Sequence, residues 1–174
     1  MERECEDPES ELGRGIGAPV HVPTDNVAHG SVSVARTGER TFEGRNESGT
    51  SILIGPAGTP GHFSPGELLK LALAGCAGMS ADRGIARRLG EDAAVTVWVH
   101  GASNAENRYD RVVEEIVLDL GGLDDDARAT LERVIRASID RGCTVERSIG
   151  EQIDVAHAIV DAAVEPGHAA AVPN

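Results

Sequence analysis

The sequence is poor in aromatic side chains and in positive charge. Only four of its 174 residues are aromatic, namely Phe42, Phe63, Trp98 and Tyr109. A core must therefore be built from Val, Leu, Ile and Ala. Asp and Glu outnumber Lys and Arg by 29 to 16, which gives a formal net charge of -13. Binding to nucleic acid or to an anionic membrane surface needs a cationic face, so the charge balance argues against both kinds of partner.

Long apolar runs are also missing. No stretch of about 18 apolar residues occurs, so no helix is expected to span a bilayer. No apolar segment typical of a signal peptide follows the start, which reads MERECEDPESEL and is strongly acidic. We therefore expect a disordered acidic tail at residues 1–28, a single folded domain at residues 29–174, and a cytoplasmic location where thiols stay reduced.

The hydrophobic pattern predicts an α+β fold. Alternation in residues 31–55 predicts two or three short strands. A long helix is predicted at residues 65–89, because Ser64, Pro65 and Glu67 suit a capping box with proline in the first turn. The segments that follow predict two strands and a helix: AVTVWVHG, RVVEEIVLDLGG and DDDARATLERVIRASIDRG. The last segment, IDVAHAIVDAAV, suits a strand or a helix, and we favour a strand. This order favours an antiparallel sheet that covers a central helix.

Cysteine is scarce, with three residues in the chain. Cys5 lies in the acidic tail, where like charge disfavours its thiolate. Cys76 lies in the predicted long helix, within SPGELLKLALAGCAGM, whose small and apolar residues predict burial on most sides. Cys143 directly follows Gly142, where the second helix is expected to end. Taken singly, Cys76 and Cys143 are most simply a small buried residue and a loop residue.

No metal or nucleotide motif accompanies these thiols. The six histidines show no close pairing with each other or with a C-x-x-C, and no HExxH occurs; they are His21, His29, His62, His100, His157 and His168. Neither G-x-x-x-x-G-K-[ST] nor a strand followed by G-x-G-x-x-G is present. We therefore expect neither a metal ion nor a cofactor.

Two segments, SPGELLKLALAGCAGM and RGCTVERSIGEQIDV, resemble the two cysteine motifs of the OsmC and organic hydroperoxide resistance family. The order of elements is similar as well, over roughly residues 31–164. The resemblance implies an intertwined homodimer in which an antiparallel sheet wraps a long central helix that carries a cysteine. It also implies a thiol peroxidase active against oxidative stress. Cys76 would attack an organic hydroperoxide, Cys143 would close a disulfide, and a small dithiol or lipoyl-type reductant would reduce it.

The resemblance also implies an arginine that holds the thiolate and a carboxylate that clamps this arginine. Arg40 takes the place of the arginine, with Arg45 and Arg36 as competing candidates. The family's carboxylate directly follows the first proline of the helix, where this sequence has Gly66. Glu67 either substitutes for it or only caps the helix. This departure leaves an alternative function open, an OsmC-like homodimer that binds an apolar ligand without significant peroxidase turnover.

A cation near Cys76 is expected on physical grounds too. A free thiol has a pKa of about 8.5, and burial raises it. Cys76 lies about 18 Å along the helix axis from Ser64, beyond the reach of the helix dipole. A guanidinium about 4 Å from the sulfur, at an effective dielectric constant of about 20, would offer up to about 4 kcal/mol. We therefore expect Arg40, on a neighbouring strand, to stabilise the thiolate.

Overall fold

The computed structural model describes residues 18–162, and the chain divides into two compact units, Met1–Glu67 and Leu68–Asn174. The disorder predicted for the tail lies mostly outside the described residues. Residues 18–28, the described part of that tail, form turns and irregular backbone without helix or strand. Within the described part of the chain, no helix has the length and apolar character needed to cross a membrane.

The first unit contains a three-stranded antiparallel sheet. Its strands are β1 (Val32–Gly38), β2 (Thr41–Asn46) and β3 (Ser51–Ile54), which lie in the order β1-β2-β3. The three strands and the two turns between them are those that the alternating sequence pattern predicts. In the second turn Gly49 has a φ of +85°, a conformation that glycine adopts without steric cost.

Helix α1 spans Pro65–Leu89, the bounds predicted from the sequence. Its first turn forms the expected capping box. The backbone N–H and the hydroxyl of Ser64 both donate to Glu67 Oε2 over 2.6 Å, and the Glu67 N–H donates to Ser64 Oγ over 3.3 Å. These bonds satisfy backbone groups that a helix start otherwise leaves unpaired. Glu67 therefore has a clear structural role.

The burial predicted for the first half of α1 is wrong on one face. Leu73 and Ala77 are fully buried, whereas Leu71 is 48% exposed and Met79 is 77% exposed. The buried positions recur at helical spacing, as expected when neighbouring elements cover one face of a helix. The sequence pattern did not distinguish the two faces, because small and apolar residues occupy both.

The second unit contains the remaining strands. They are β4 (Val95–His100), β5 (Arg111–Leu118) and β6 (Asp154–Asp161), in the order β4-β5-β6. The strand predicted at the end of the domain is thus confirmed. Strands β4 and β5 are antiparallel, but β5 and β6 are parallel, so the prediction of an antiparallel sheet is wrong for this pair.

The helices between β5 and β6 explain the parallel pairing. Parallel neighbours need a crossover of a dozen or more residues. Helix α2 (Asp125–Gly142) and the short helix α3 (Thr144–Ile149) supply that crossover. Asp124 caps α2 by accepting a hydrogen bond of 2.8 Å from the Ala127 N–H. Helix α3 was not predicted from the sequence.

Glycines allow α1 and α2 to approach closely. A Cβ atom on Gly84 would lie 2.8 Å from Val134 Cγ1, and one on Gly142 would lie 3.0 Å from Ser80 Oγ. These helices and the sheet enclose an aliphatic core that includes Ala77, Ala81, Ile85, Ile116, Leu118, Leu131, Ile135 and Ile139. The contact at Gly142 brings the end of α2, and hence Cys143, to the side of α1 that carries Cys76.

Candidate functional site

The second unit brings together the two cysteines that the sequence analysis selected. Cys76 lies on the buried face of α1 and is 9% exposed, whereas Cys143 is fully buried. Cys143 stands between two helices. Its N–H donates to the Ile139 carbonyl at the end of α2, and its sulfur accepts from the Glu146 N–H of α3 over 3.4 Å. Both cysteines are free thiols.

The start of α3 stabilises the Cys76 thiolate. The Thr144 hydroxyl oxygen lies 3.9 Å from the Cys76 sulfur. Burial raises the pKa of Cys76, but the Cys143 thiol, the Val145 N–H and the side chain and N–H of Thr144 lower it by more, so the pKa falls below its ordinary value. From the sequence, a cation alone was expected to stabilise the thiolate. These neutral donors were not predicted because α3 was not predicted.

The pKa of Cys143 is raised, in contrast to that of Cys76. Burial and the interaction with the Cys76 thiol raise the pKa of Cys143 to about 12, with further contributions from the negative charges of Cys76 and Glu114. The Glu146 N–H only partly offsets this rise. At neutral pH Cys143 is therefore protonated, and Cys76 is the more acidic of the two thiols.

The predicted arginine and carboxylate belong to the first unit. Arg40 lies in the turn between β1 and β2 and is exposed, with a φ of +55°. Its placement on a strand was therefore wrong, because Gly38 already pairs with Thr41 at the end of the hairpin. Arg45 lies on β2 and donates to Glu43 Oε1 over 2.6 Å. The roles of Arg40, Arg45 and Glu67 toward Cys76 remain predictions.

A cluster of three side chains near the cysteines was missed. Glu114 on β5 is opposite His157 on β6 in the parallel register, and Glu146 on α3 joins them. His157 Nε2 lies 3.2 Å from Glu114 Oε2 and 3.3 Å from Glu146 Oε2. The Glu114 carboxylate raises the pKa of His157 against the effect of burial, and burial raises the pKa of Glu146.

One local signal could have indicated this cluster. Alternate residues of β5 face the core, and they are Val112, Glu114, Ile116 and Leu118. A carboxylate in that apolar series is costly to bury unless a partner neutralises it. The partners could not be found from the sequence, since they come from elements whose pairing depends on the fold.

Comparison with known proteins identifies the family of this chain. The sequence model of the OsmC-like protein family matches residues 58–158, a range that includes Cys76 and Cys143. This chain belongs to the OsmC-like family. Uncharacterized proteins of Mycobacterium bovis and Mycobacterium tuberculosis are 42% identical to this OsmC-like protein over 129 residues, which cover 74% of this chain and 94% of theirs.

Solved structures share the fold of this OsmC-like protein. An OsmC-like protein of unknown function from Vibrio cholerae is 18% identical, with a TM-score of 0.56 over 77% of this chain and 100% of that one. The organic hydroperoxide resistance protein OhrB of Bacillus subtilis is 16% identical, with a TM-score of 0.52 over 75% of this chain and 96% of that one. The α+β fold and the family inferred from the two cysteine segments are confirmed.

Proposed function

We propose that this OsmC-like protein is a dithiol-dependent thiol peroxidase that reduces organic hydroperoxides to alcohols. The observation that carries the proposal is the opposite shift of two neighbouring thiols, with the pKa of Cys76 lowered and that of Cys143 raised to about 12. A nucleophilic thiolate beside a protonated thiol is the arrangement that the two half-reactions need. The shared fold with a protein named for organic hydroperoxide resistance supports the substrate class.

In the first half-reaction the Cys76 thiolate attacks one oxygen of the hydroperoxide. The attack is on the terminal oxygen, so an S–O bond forms as the O–O bond breaks and the sulfur keeps the hydroxyl group. The alkoxide leaves and takes a proton from water to become the alcohol. Cys76 becomes a sulfenic acid, oxidised by two electrons. The donors at the start of α3 favour the thiolate form that begins this step.

In the second half-reaction the Cys143 sulfur attacks the Cys76 sulfenic sulfur. An S–S bond forms, and the sulfenic hydroxyl leaves as water with the proton from Cys143. A small dithiol or lipoyl-type reductant then restores both thiols by exchange, supplying two electrons and two protons. The Cys76 thiolate contributes to the raised pKa of Cys143. This contribution is lost once Cys76 is a neutral sulfenic acid, so Cys143 can then give up its proton and attack.

We retain Arg40 and Glu67 as candidate catalytic residues from the family resemblance. A paired arginine and carboxylate does occur in the first unit, but it consists of Arg45 and Glu43. Arg40→Met and Arg45→Met therefore form a matched pair of variants. The variant that raises the pKa of Cys76 and slows peroxide reduction identifies the arginine that acts. If both variants keep the wild-type pKa of Cys76 and the wild-type rate, neither Arg40 nor Arg45 stabilises the thiolate, which leaves Arg36 and the neutral donors, the Cys143 thiol and the start of α3.

We also propose that the protein is a homodimer. Exposed apolar residues on one face of α1 support it, since Leu71 is 48% exposed and Met79 is 77% exposed. A contiguous exposed apolar surface is typical of a site that another subunit covers. Light scattering coupled to gel filtration should give the mass of two chains, and a monomer at micromolar concentration would exclude the dimer.

Steady-state kinetics with cumene hydroperoxide and dihydrolipoamide test the proposed activity. The wild-type protein should consume cumene hydroperoxide rapidly. The activity should be abolished in Cys76→Ser and strongly reduced in Cys143→Ser.

The second candidate function is binding of an apolar ligand by the homodimer without peroxidase turnover. Gly66 favours it, because the carboxylate expected at that position is absent and Glu67 is engaged in the capping box. A slow reaction that Cys76→Ser does not change would support this candidate. Gly66→Glu provides a further distinction, since restoring the carboxylate should raise activity only if its absence limits a peroxidase.

A further inference from the structure

Glu114, Glu146 and His157 form a cluster that the proposed peroxidase reaction does not use. Among the described residues, Glu114 is the one charged side chain that is fully buried. Neither of its carboxylate oxygens has a hydrogen-bond partner, and the same holds for Glu146 Oε2 and His157 Nε2. A carboxylate buried in this way needs a compensating positive charge.

The contacts within the cluster are close but are not aligned hydrogen bonds. His157 Nε2 lies 3.2 Å and 3.3 Å from the two carboxylates, yet neither contact has hydrogen-bond geometry. The His100–Glu115 pair of the same sheet has the same separation of 3.2 Å and does form a hydrogen bond. Arg136 donates to the His157 carbonyl oxygen over 3.0 Å and not to the carboxylates. The ring and the two carboxylates therefore converge at ion-pair distance, although these contacts are poorly aligned as hydrogen bonds.

Such convergence fits a metal ion. One atom from each of the three side chains lies within 4.8 Å of the other two. Zinc binds imidazole nitrogen and carboxylate oxygen at about 2.0–2.2 Å in tetrahedral geometry, which places ligand atoms about 3.3–3.6 Å apart. The two measured separations are close to that value. A divalent ion would also balance the negative charges of the two carboxylates.

We propose that Glu114, Glu146 and His157 form a binding site for a divalent transition-metal ion, with zinc as the ion that the donor set fits. Three protein ligands leave a fourth position for water, as in zinc sites that are not purely structural. The site does not depend on the proposed peroxidase activity. It would tie α3, through Glu146, to strands β5 and β6, and α3 supplies the donors that face Cys76.

Zinc titration of the full-length protein tests the site. Protein freed of metal with a chelator should bind one equivalent of zinc chloride by calorimetry. Glu114→Gln and Glu146→Gln should each weaken binding at least about tenfold, since even the loss of an outer partner costs that much in metal sites. His100→Gln is the matched control, because it alters a histidine–glutamate pair on the same sheet and should leave the affinity unchanged.

Thiolates also bind zinc, so the cysteines must be excluded as ligands. The variant with Cys5, Cys76 and Cys143 all replaced by serine should still bind one equivalent. If that variant is unstable, cobalt can replace zinc in the wild-type protein. Its visible spectrum should then show tetrahedral nitrogen and oxygen ligands, without the charge-transfer band of a thiolate.

Three results would overturn the proposal. These are no zinc uptake, uptake that Glu114→Gln and Glu146→Gln leave unchanged, and uptake that depends on the cysteines. Any of them would make the cluster an ion pair between a protonated His157 and the two carboxylates.

Discussion

Replacing Cys143 by alanine should raise the pKa of Cys76 and remove about 1.5–3 kcal/mol of stabilisation from its thiolate. The Cys143 thiol is the largest of the interactions that lower the pKa of Cys76. A hydrogen bond to a charged group contributes about 1.5–3 kcal/mol, and one pKa unit corresponds to about 1.36 kcal/mol. Since the thiolate is the reactive form, the variant should need a correspondingly higher pH to react.

Alkylation by iodoacetamide as a function of pH measures this shift. Peptide mapping by mass spectrometry separates Cys76 from Cys5, which serves as an internal reference in the acidic tail. In the wild-type protein Cys76 should react at lower pH than Cys5, and Cys143 should stay unmodified at pH 7–9 because its pKa is about 12.

Cys143→Ser is the matched control for this experiment. Serine keeps a hydroxyl donor at the same position, so the midpoint for Cys76 should move less than in the alanine variant. An unchanged midpoint in Cys143→Ala would refute the reasoning, because it would mean that the neighbouring thiol does not stabilise the Cys76 thiolate.

Three further predictions concern α3 and α1. Thr144→Val should raise the alkylation midpoint of Cys76 by less than Cys143→Ala does, and an unchanged midpoint would exclude the hydroxyl as a donor. Ser64→Ala should lower the free energy of unfolding in urea by about 1 kcal/mol through loss of the cap, and an unchanged value would contradict this role. Gly84→Ala should cost about 1–3 kcal/mol by overpacking, whereas Gly78→Ala should not lower the free energy of unfolding, because a Cβ atom at Gly78 makes only an ordinary contact of 3.6 Å.

The helices and strands could largely be predicted because capping residues and alternating patterns depend only on residues close together in the sequence. The capping box at Ser64 and the glycine after Leu89 defined both ends of α1. Alternating residues predicted the first strands, whereas the segment of β6 suited a helix as well as a strand. Periodicity alone does not state which strands are neighbours. The parallel pairing of β5 with β6 was therefore missed, and with it the proximity of Glu114 and His157.

The candidate site was only partly predictable for a related reason. Cys76 and Cys143 were found from two segments that resemble family motifs. Helix α3 was not predicted, because it has only six residues and because its N-cap, Cys143, is not a preferred capping residue. Because α3 was not predicted, the backbone N–H groups and the Thr144 hydroxyl that stabilise the Cys76 thiolate were not predicted either.

The central claim is that Cys76 is oxidised by an organic hydroperoxide and then bonds to Cys143. Intact mass and peptide mapping of the reduced protein, before and after one equivalent of cumene hydroperoxide, test it most directly. We expect a loss of about 2 Da, located to a Cys76–Cys143 disulfide. An unchanged mass, with both thiols still free, would contradict it and make Cys76 a core residue of a ligand-binding protein.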